Sequence, residues 1–376
     1  MMNWSLQVAR VQGIPIRIHV TFLLTVFYFA FQGWSLMNGA MKGAAIGAAS
    51  VSLLFVCVVL HELGHSLVAQ AFGEEVRDIT LWPIGGVARL SGMPKRPWQE
   101  LLVSVAGPLV NVLLAFGLAL VALIWLGPDR IVSHYVLQGI FFPRRWELLP
   151  VWLLGANVFL AAFNLVPAFP MDGGRILRAI LATFMSYTRA TRLAVRIGQG
   201  FAILFGLLGL LPGQFILLVI AIFIFMGAGQ EGRTVVAHGY LRRLGVRDVL
   251  QPVGRVLNPW QPLTALLPSL LHTQQSGYAV VDESTLAGIV TENDLIGGLR
   301  KHGERATVKD IMRTTYPRLS PDDSLLRAQE LMQEHRLSVL PVIVGQRLQG
   351  FVTASDINRA LRLSDAYPQA FQSRAV

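Results

Sequence analysis

The chain has 376 residues, 53% hydrophobic and only 14% charged, with 32 Lys and Arg against 22 Asp and Glu for a net charge of +10. Soluble globular chains carry about 25% charged residues, so composition excludes a protein that is water-soluble throughout. The positive excess flanks apolar runs and forms no basic stripe with interleaved aromatics, which points to anionic lipid and away from direct nucleic-acid binding. The single cysteine, Cys57, lies in an apolar run and excludes an intrachain disulfide.

The apolar residues are concentrated before residue 230, and the remainder has ordinary soluble composition. Residues 1–19 are a short mixed segment containing Arg10 and Arg17, with no convincing cleavage site for a signal peptide. Val20 to Met41 is uncharged and long enough to cross a bilayer, which takes about 20 residues. A second span runs from about Ala44 to Phe72. Residues 74–98 are too polar to span and too rich in Gly and Pro for a helix. There, Ile79 to Trp82 and Val87 to Leu90 around Pro83-Ile84-Gly85-Gly86 predict a hairpin or re-entrant loop. Leu101 to Pro128 is a third apolar run, followed by a polar loop at 129–147 with Arg130, Arg144 and Arg145. Leu148 to Met171 is the fourth. Arg175 to Arg196 is basic and amphipathic. Ile197 to Gln230 is then uncharged for 34 residues, and Leu211-Pro212-Gly213 divides it into two more spans, making about six.

Lys and Arg set the orientation. Arg10, Arg17, Lys95, the basic stretch 175–196, Arg233, Arg242 and Arg243 fall on one side, against Lys42 and the loop arginines on the other. Both termini are therefore expected on the cytoplasmic face of an inner membrane.

The second span ends in His61-Glu62-Leu63-Gly64-His65. On a helix the two histidines lie one turn apart on one face, where both imidazoles reach one ion. Zinc suits two neutral imidazoles and a carboxylate with one position open, and Glu62 is placed to take a proton from water there. The eighteen residues from Gly43 to Leu60 carry no charge, and two His and a Glu closing such a run are costly unless paired or metal-bound. Ala71 stands where a third histidine of metzincin spacing would be, and no acid lies between Asp78 and Glu100. Asp172 is the candidate third ligand. It follows a stretch broken by Pro167 and Pro170, whose freed backbone groups are tolerated at depth only when buried or lining a wet cavity.

The segment His61–His65 at the end of a span, Ala106-Gly107-Pro108-Leu109-Val110-Asn111 in the next, and the run from Asn164 to Gly174 resemble the site-2 protease family of intramembrane metalloproteases. The resemblance covers roughly residues 10–230. It implies a polytopic α-helical membrane protein, with about six transmembrane helices and a re-entrant β-hairpin loop, that binds one Zn2+ per chain through His61, His65 and Asp172. It also implies that Glu62 is the general base. Asn164 is then a candidate for contacting the substrate backbone or the developing oxyanion; Asn111 is a weaker candidate that could simply serve a helix–helix contact. No PDZ insertion follows the histidines, which implies the compact branch. The implied activity is cleavage of a membrane-embedded or membrane-adjacent segment of a regulatory protein, or clearance of signal-peptide remnants. The strand pair at 79–90 has two readings: its edge catches the unwound substrate by β-augmentation, or it merely plugs the membrane face.

Residues 245–364 repeat internally. At an offset of 62, residues 246–250 fall on 308–312 and 288–296 on 350–358. These landmarks resemble a pair of CBS (cystathionine-β-synthase-type) domains, a soluble α/β module. The expected division is a membrane domain at 1–230, a linker at 231–244, CBS copies at 245–302 and 303–364, and a tail at 365–376. Such pairs bind adenosine nucleotides such as ATP or AMP. The resemblance assigns Thr291 and Thr353 to phosphate and Asp294 and Asp356 to ribose hydroxyls, although each Asp would also cap its helix. The first copy departs from the pattern, with Gly277-Tyr278 against Val339-Leu340-Pro341 in the second, which makes one of the two clefts a candidate for an empty one. The pair also offers a face for a homodimer. A CBS-regulated membrane metal or ion transporter is the competing reading, although a conducting path wants weak or multiple sites and no Glu beside a His ligand.

Overall fold

The computed structural model describes residues 4–83, 85–90, 96–128, 143–267, 277–283, 285–303, 305–345 and 347–366. The chain divides into two compact units, Met1–Gly232 and Arg233–Val376.

The first unit opens with a sheet that the sequence only half announces. Residues read as a mixed segment form β1 (Ser5–Val11) and β2 (Ile14–His19), joined by Gln12 and Gly13, both at positive φ as a two-residue hairpin turn requires. Of the expected hairpin or re-entrant loop, the structure shows two antiparallel strands, β3 (Val76–Trp82) and β4 (Gly85–Leu90), the second starting two residues before the expected Val87; Ile84 between them lies outside the described residues. The strand order is β1-β2-β3-β4, with β2 parallel to β3 through Ile16 opposite Ile79 and Ile18 opposite Leu81. One face of this sheet is apolar: Ile14, Ile16, Val76 and Ile79 pack on Leu63 and Val59, and Leu81 on Val51 and Phe55. Away from it, Asp78 pairs with Arg89 at 2.9 Å. The apolar face thus rests on the helix that carries the two histidines.

That helix is α2 (Met41–Ala71), preceded by α1 (Phe22–Leu36). The two pack as an antiparallel pair in which Gly43 admits the Gly33 carbonyl, where any side chain would strike it. Next come α3 (Pro97–Leu126), with proline in its first turn, and α4 (Leu149–Asn164). Then follow α5 (Asp172–Ala182), α6 (Tyr187–Gly209) and α7 (Phe215–Arg243).

Five described helices are long and apolar enough to cross a membrane: α2, α3, Trp146–Asn164, α6 and α7. The span expected at 20–41 is instead the 15-residue α1, which rises only about 22 Å against a hydrocarbon core of about 30 Å. Asn38 and Gly39, both at positive φ, turn the chain and end it early. The basic stretch 175–196 is not one element either, because α5 ends at Ala182 and α6 begins at Tyr187. The expected linker 231–244 is helical through Arg243, as the end of α7. Residues 129–142 of the polar loop and 367–376 of the tail lie outside the described residues. Large apolar side chains such as Leu113, Phe116 and Ile124 on α3 are exposed, a surface suited to lipid and not to water.

In the second unit the offset of 62 holds for the paired strands, Gly277–Asp282 with Val339–Val344 and Thr285–Thr291 with Arg347–Thr353, and for the start of the helix that follows each pair. The unit holds β5 (Gln251–Pro252), β6 (Val256–Leu257), β7 (Gly277–Asp282), β8 (Thr285–Thr291), β9 (Val339–Val344) and β10 (Arg347–Thr353). Its helices are α8 (Glu292–His302), α9 (Leu325–His335) and α10 (Ala354–Ala366). Two three-stranded sheets form, β5-β10-β9 and β6-β7-β8. The two cores do not follow the two sequence copies, however. Leu244 and Val246 pack with Leu325, Leu340 and Val352 of the second copy, while Ala306 and Val308 pack with Leu263, Val290 and Leu295 of the first. Each copy therefore lends its opening segment to the other. Between the sheets, Ala279 and Ile289 meet Val339 and Phe351. Gly277, where the first copy departs from the second, makes room at this seam: a Cβ there would sit 2.6 Å from Val339 Cγ1.

Candidate metal centre

The one group of described His, Cys, Asp and Glu side chains able to hold a metal ion is His61, His65 and Asp172. The histidines are one turn apart on α2, and Asp172 is the first residue of α5, where the helix dipole favours a negative charge. All three are more than nine-tenths buried. His61 Nε2 and His65 Nε2 are 3.1 Å apart, and Asp172 Oδ2 lies 3.3 and 3.2 Å from them. Gly173 and Gly174 bring the acid in, since a Cβ at either would strike the backbone of 165–169.

The outer nitrogens decide the chemistry of the inner ones. His61 Nδ1 faces Asn111 Oδ1 at 2.5 Å, and His65 Nδ1 faces the Val103 carbonyl at 2.7 Å. The Val103 carbonyl is an acceptor only. Asn111 in turn has its amide nitrogen committed as donor to Asn157 Oδ1 at 2.8 Å, and Asn157 donates to the Leu153 carbonyl at 2.9 Å. Both imidazoles therefore carry a proton on Nδ1, and in the neutral form each turns an Nε2 lone pair, beside a carboxylate oxygen, toward one point. Three acceptors with no donor among them fit a cation.

Small residues let the helices close around this point. A Cβ on Gly107 of α3 would collide with both imidazole rings, and one on Gly64 would lie 2.9 Å from the Ala106 carbonyl. Glu62 sits beneath β4, where a Cβ on Gly86 would be 2.8 Å from Glu62 Cγ. Asn164 is the last residue of α4 and is only partly buried. Among the described residues it hydrogen-bonds none of the three clustered side chains.

Sequence reasoning thus placed the three convergent residues and left Asn111 without a firm role. It missed Asn157 and the Val103 carbonyl, and quoted Gly107 within a motif without a role. Asn157 had a signal, being an uncompensated amide inside an uncharged span. A backbone carbonyl has none.

In the second unit, the Thr and Asp pairs form helix caps. Asp294 Oδ2 accepts from Thr291 N and Oγ1, and Asp356 Oδ2 accepts from Thr353 N at 3.0 Å and Oγ1 at 2.5 Å. The second carboxylate oxygens differ. Asp294 is clamped by Arg313 at 2.8 Å, whereas Asp356 accepts from Gln251 at 2.7 Å and borders a cavity of about 540 Å³ lined also by Asp248, Pro252 and Arg359. Burial pushes the Asp294 carboxyl up, but the hydrogen bonds from Arg313 and Thr291 outweigh it and hold the group below the usual aspartate range.

The sequence matches Peptidase family M50 over residues 49–205 and the CBS domain over residues 308–363. It is 35% identical over 362 residues to a zinc metalloprotease of Methanocaldococcus jannaschii, covering 96% of this chain and 97% of that one. A candidate zinc metalloprotease of Synechocystis is 28% identical over 97% of each chain. Among solved structures, a site-2 protease from M. jannaschii is similar, with 40% identity, a TM-score of 0.41, and coverage of 61% of this chain and 95% of that one.

Proposed function

The chain belongs to the site-2 protease family, peptidase family M50, and on that premise we propose that His61, His65 and Asp172 hold its zinc and that it cuts a membrane-embedded or membrane-adjacent segment of a regulatory protein. The observation that carries this reading is the convergence of two Nε2 lone pairs and one carboxylate oxygen, with both Nδ1 protons held by acceptors outside. Zinc bound there would supply a Lewis acid that lowers the pKa of water and polarises a carbonyl.

The chain's own residues do the rest. Glu62, adjacent to His61, takes the proton of the attacking water and later delivers it to the leaving amine. Asn111, backed by Asn157, and the Val103 carbonyl hold the two imidazoles in one tautomer. Asn164 offers amide donors to the substrate backbone or the oxyanion. A transmembrane helix hides its scissile bond until it is unwound, and β4 supports a way to hold the extended form. Among the described residues it is an edge strand of the sheet, and its Gly86 lies against Glu62. The distribution of Lys and Arg supports an inner-membrane protein with both termini cytoplasmic.

The CBS pair is the proposed control element, taking an adenosine nucleotide such as ATP or AMP at the Asp356 side, where the carboxylate accepts from Gln251 in place of an arginine and a cavity adjoins it. It is also the proposed contact of a homodimer.

The test is Glu62→Gln. Zinc should remain near one per chain while cleavage is lost, and the uncut substrate should accumulate among the membrane proteins of cells carrying the variant. His61→Ala, His65→Ala and Asp172→Ala should each lose zinc. Metal flux across liposomes that survives Glu62→Gln would instead favour a transporter.

A further inference from the structure

Glu100, Val103, Gly107 and Asn111 recur on α3 at steps of three, four and four, so they form one stripe about 16 Å long on one helix face. All four are buried. Three of them serve the histidines: Val103 accepts from His65, Asn111 faces His61, and Gly107 lets both rings approach. The fourth does something else. Glu100 Oε1 accepts from Nε and Nη2 of Arg178 at 2.8 and 2.5 Å, a forked pair sealed from water, with Arg178 only 1% exposed.

Arg178 lies on α5, six residues after Asp172 and about 9 Å along the same helix. Its remaining arm donates to Glu231 of α7 at 2.6 Å. Its guanidinium lies over the rings of both Phe169 and Tyr187, 4.9 and 5.0 Å from their centroids. Phe169 belongs to the bend just before Asp172, so the one guanidinium grips the chain on both sides of that acid. The helix that fixes the histidines is thereby tied by a buried ion pair to the helix that carries the third ligand.

We propose that Arg178, held by Glu100 and Glu231, is a positioning residue that sets the distance between Asp172 and the His61–His65 pair. This rests on the reading of those three residues as the zinc ligands. A guanidinium suits the task because its planar fork fixes direction as well as distance, and an ammonium at the same place keeps the charge without the geometry. The cluster costs desolvation of three charges, which core packing alone would not require.

The test measures zinc affinity of the purified full chain by competition with a chromophoric chelator, and the visible spectrum of the cobalt-substituted protein, for Arg178→Lys, Glu100→Gln and Asp172→Ala. Arg178→Lys and Glu100→Gln should each weaken zinc binding about tenfold, in the range known for residues that orient metal ligands, and alter the cobalt bands, while the metal-free proteins melt near the wild type. Wild-type affinity and an unchanged cobalt spectrum in both would overturn the proposal. So would failure of both to fold even in saturating zinc, which would make the cluster purely structural. Asp172→Ala separates the two levels: if it binds zinc like the wild type, the ligand assignment itself is wrong. If it loses zinc while the other two variants do not, only the role of Arg178 falls.

Discussion

Gln251 and Arg313 stand at the same place in the two copies of the repeat, and each reaches into the other copy to bond the aspartate that caps its closing helix. One is a neutral amide on Asp356 and the other a cation on Asp294. The exchange of opening segments makes the two sites equivalent in position, and this difference leaves one aspartate paired with a cation and the other with an amide.

Nucleotide binding should therefore be one per chain. Asp356→Asn should weaken AMP or ATP binding at least tenfold in calorimetry, while Asp294→Asn leaves it within about twofold, since a tenfold change corresponds to about 1.4 kcal/mol. Gln251→Arg should clamp Asp356 as Arg313 clamps Asp294 and abolish binding. Two equal sites would show the asymmetry to be without consequence.

The same clamp gives the soluble unit an acid dependence of known sign. The Asp294 carboxyl is held below the usual aspartate value of 3.8, so its contribution to stability is present above that pH and lost as pH falls through the folded-state value. Thermal melts of wild type and Arg313→Gln should lie furthest apart near neutrality and converge as the pH drops below about 4. A gap that widens on acidification would contradict the assignment.

Asn111→Leu should lower zinc affinity between about 10- and 100-fold, because His61 then loses the acceptor that fixes its tautomer. It also strands Asn157 Oδ1, a buried acceptor, which costs about 1–3 kcal/mol of stability. Asn157→Ala, one bond further out, should affect the metal less. Equal effects from the two would show that the chain of amides acts as packing alone.

Gly107→Ala separates steric fit from helix propensity. Alanine favours a helix interior over glycine by about 0.5–1 kcal/mol, so helix content should hold or rise. The added methyl meets His61 Cε1 at 2.8 Å and His65 closer still, so zinc should be lost. Full zinc content in Gly107→Ala would mean that α3 retreats easily, and that its stripe does not set the site.

Several features were legible in the residues themselves because they are local or periodic. The pairing of His61 with His65 follows from helix geometry, and the cost of an acid at membrane depth singles out Asp172. The antiparallel pair within 79–90 follows from two short apolar runs around a Gly- and Pro-rich break, although the structure starts the second strand at Gly85 and not at Val87, and the CBS pair follows from the offset of 62. Where sequence reasoning erred, a boundary was at stake: hydropathy runs on from Val20 to Met41, and only the turn at Asn38-Gly39 ends α1. What tertiary structure alone decided depends on contacts between distant segments. The pairing of β2 with β3, the Val103 carbonyl under His65, the Glu100–Arg178–Glu231 cluster and the crossing of Gln251 and Arg313 each join residues far apart in the chain. A repeat shows that two segments are alike, but not which core each will enter. A buried ion pair is fixed by the packing that removes water from both partners, and that packing exists only once the helices have met.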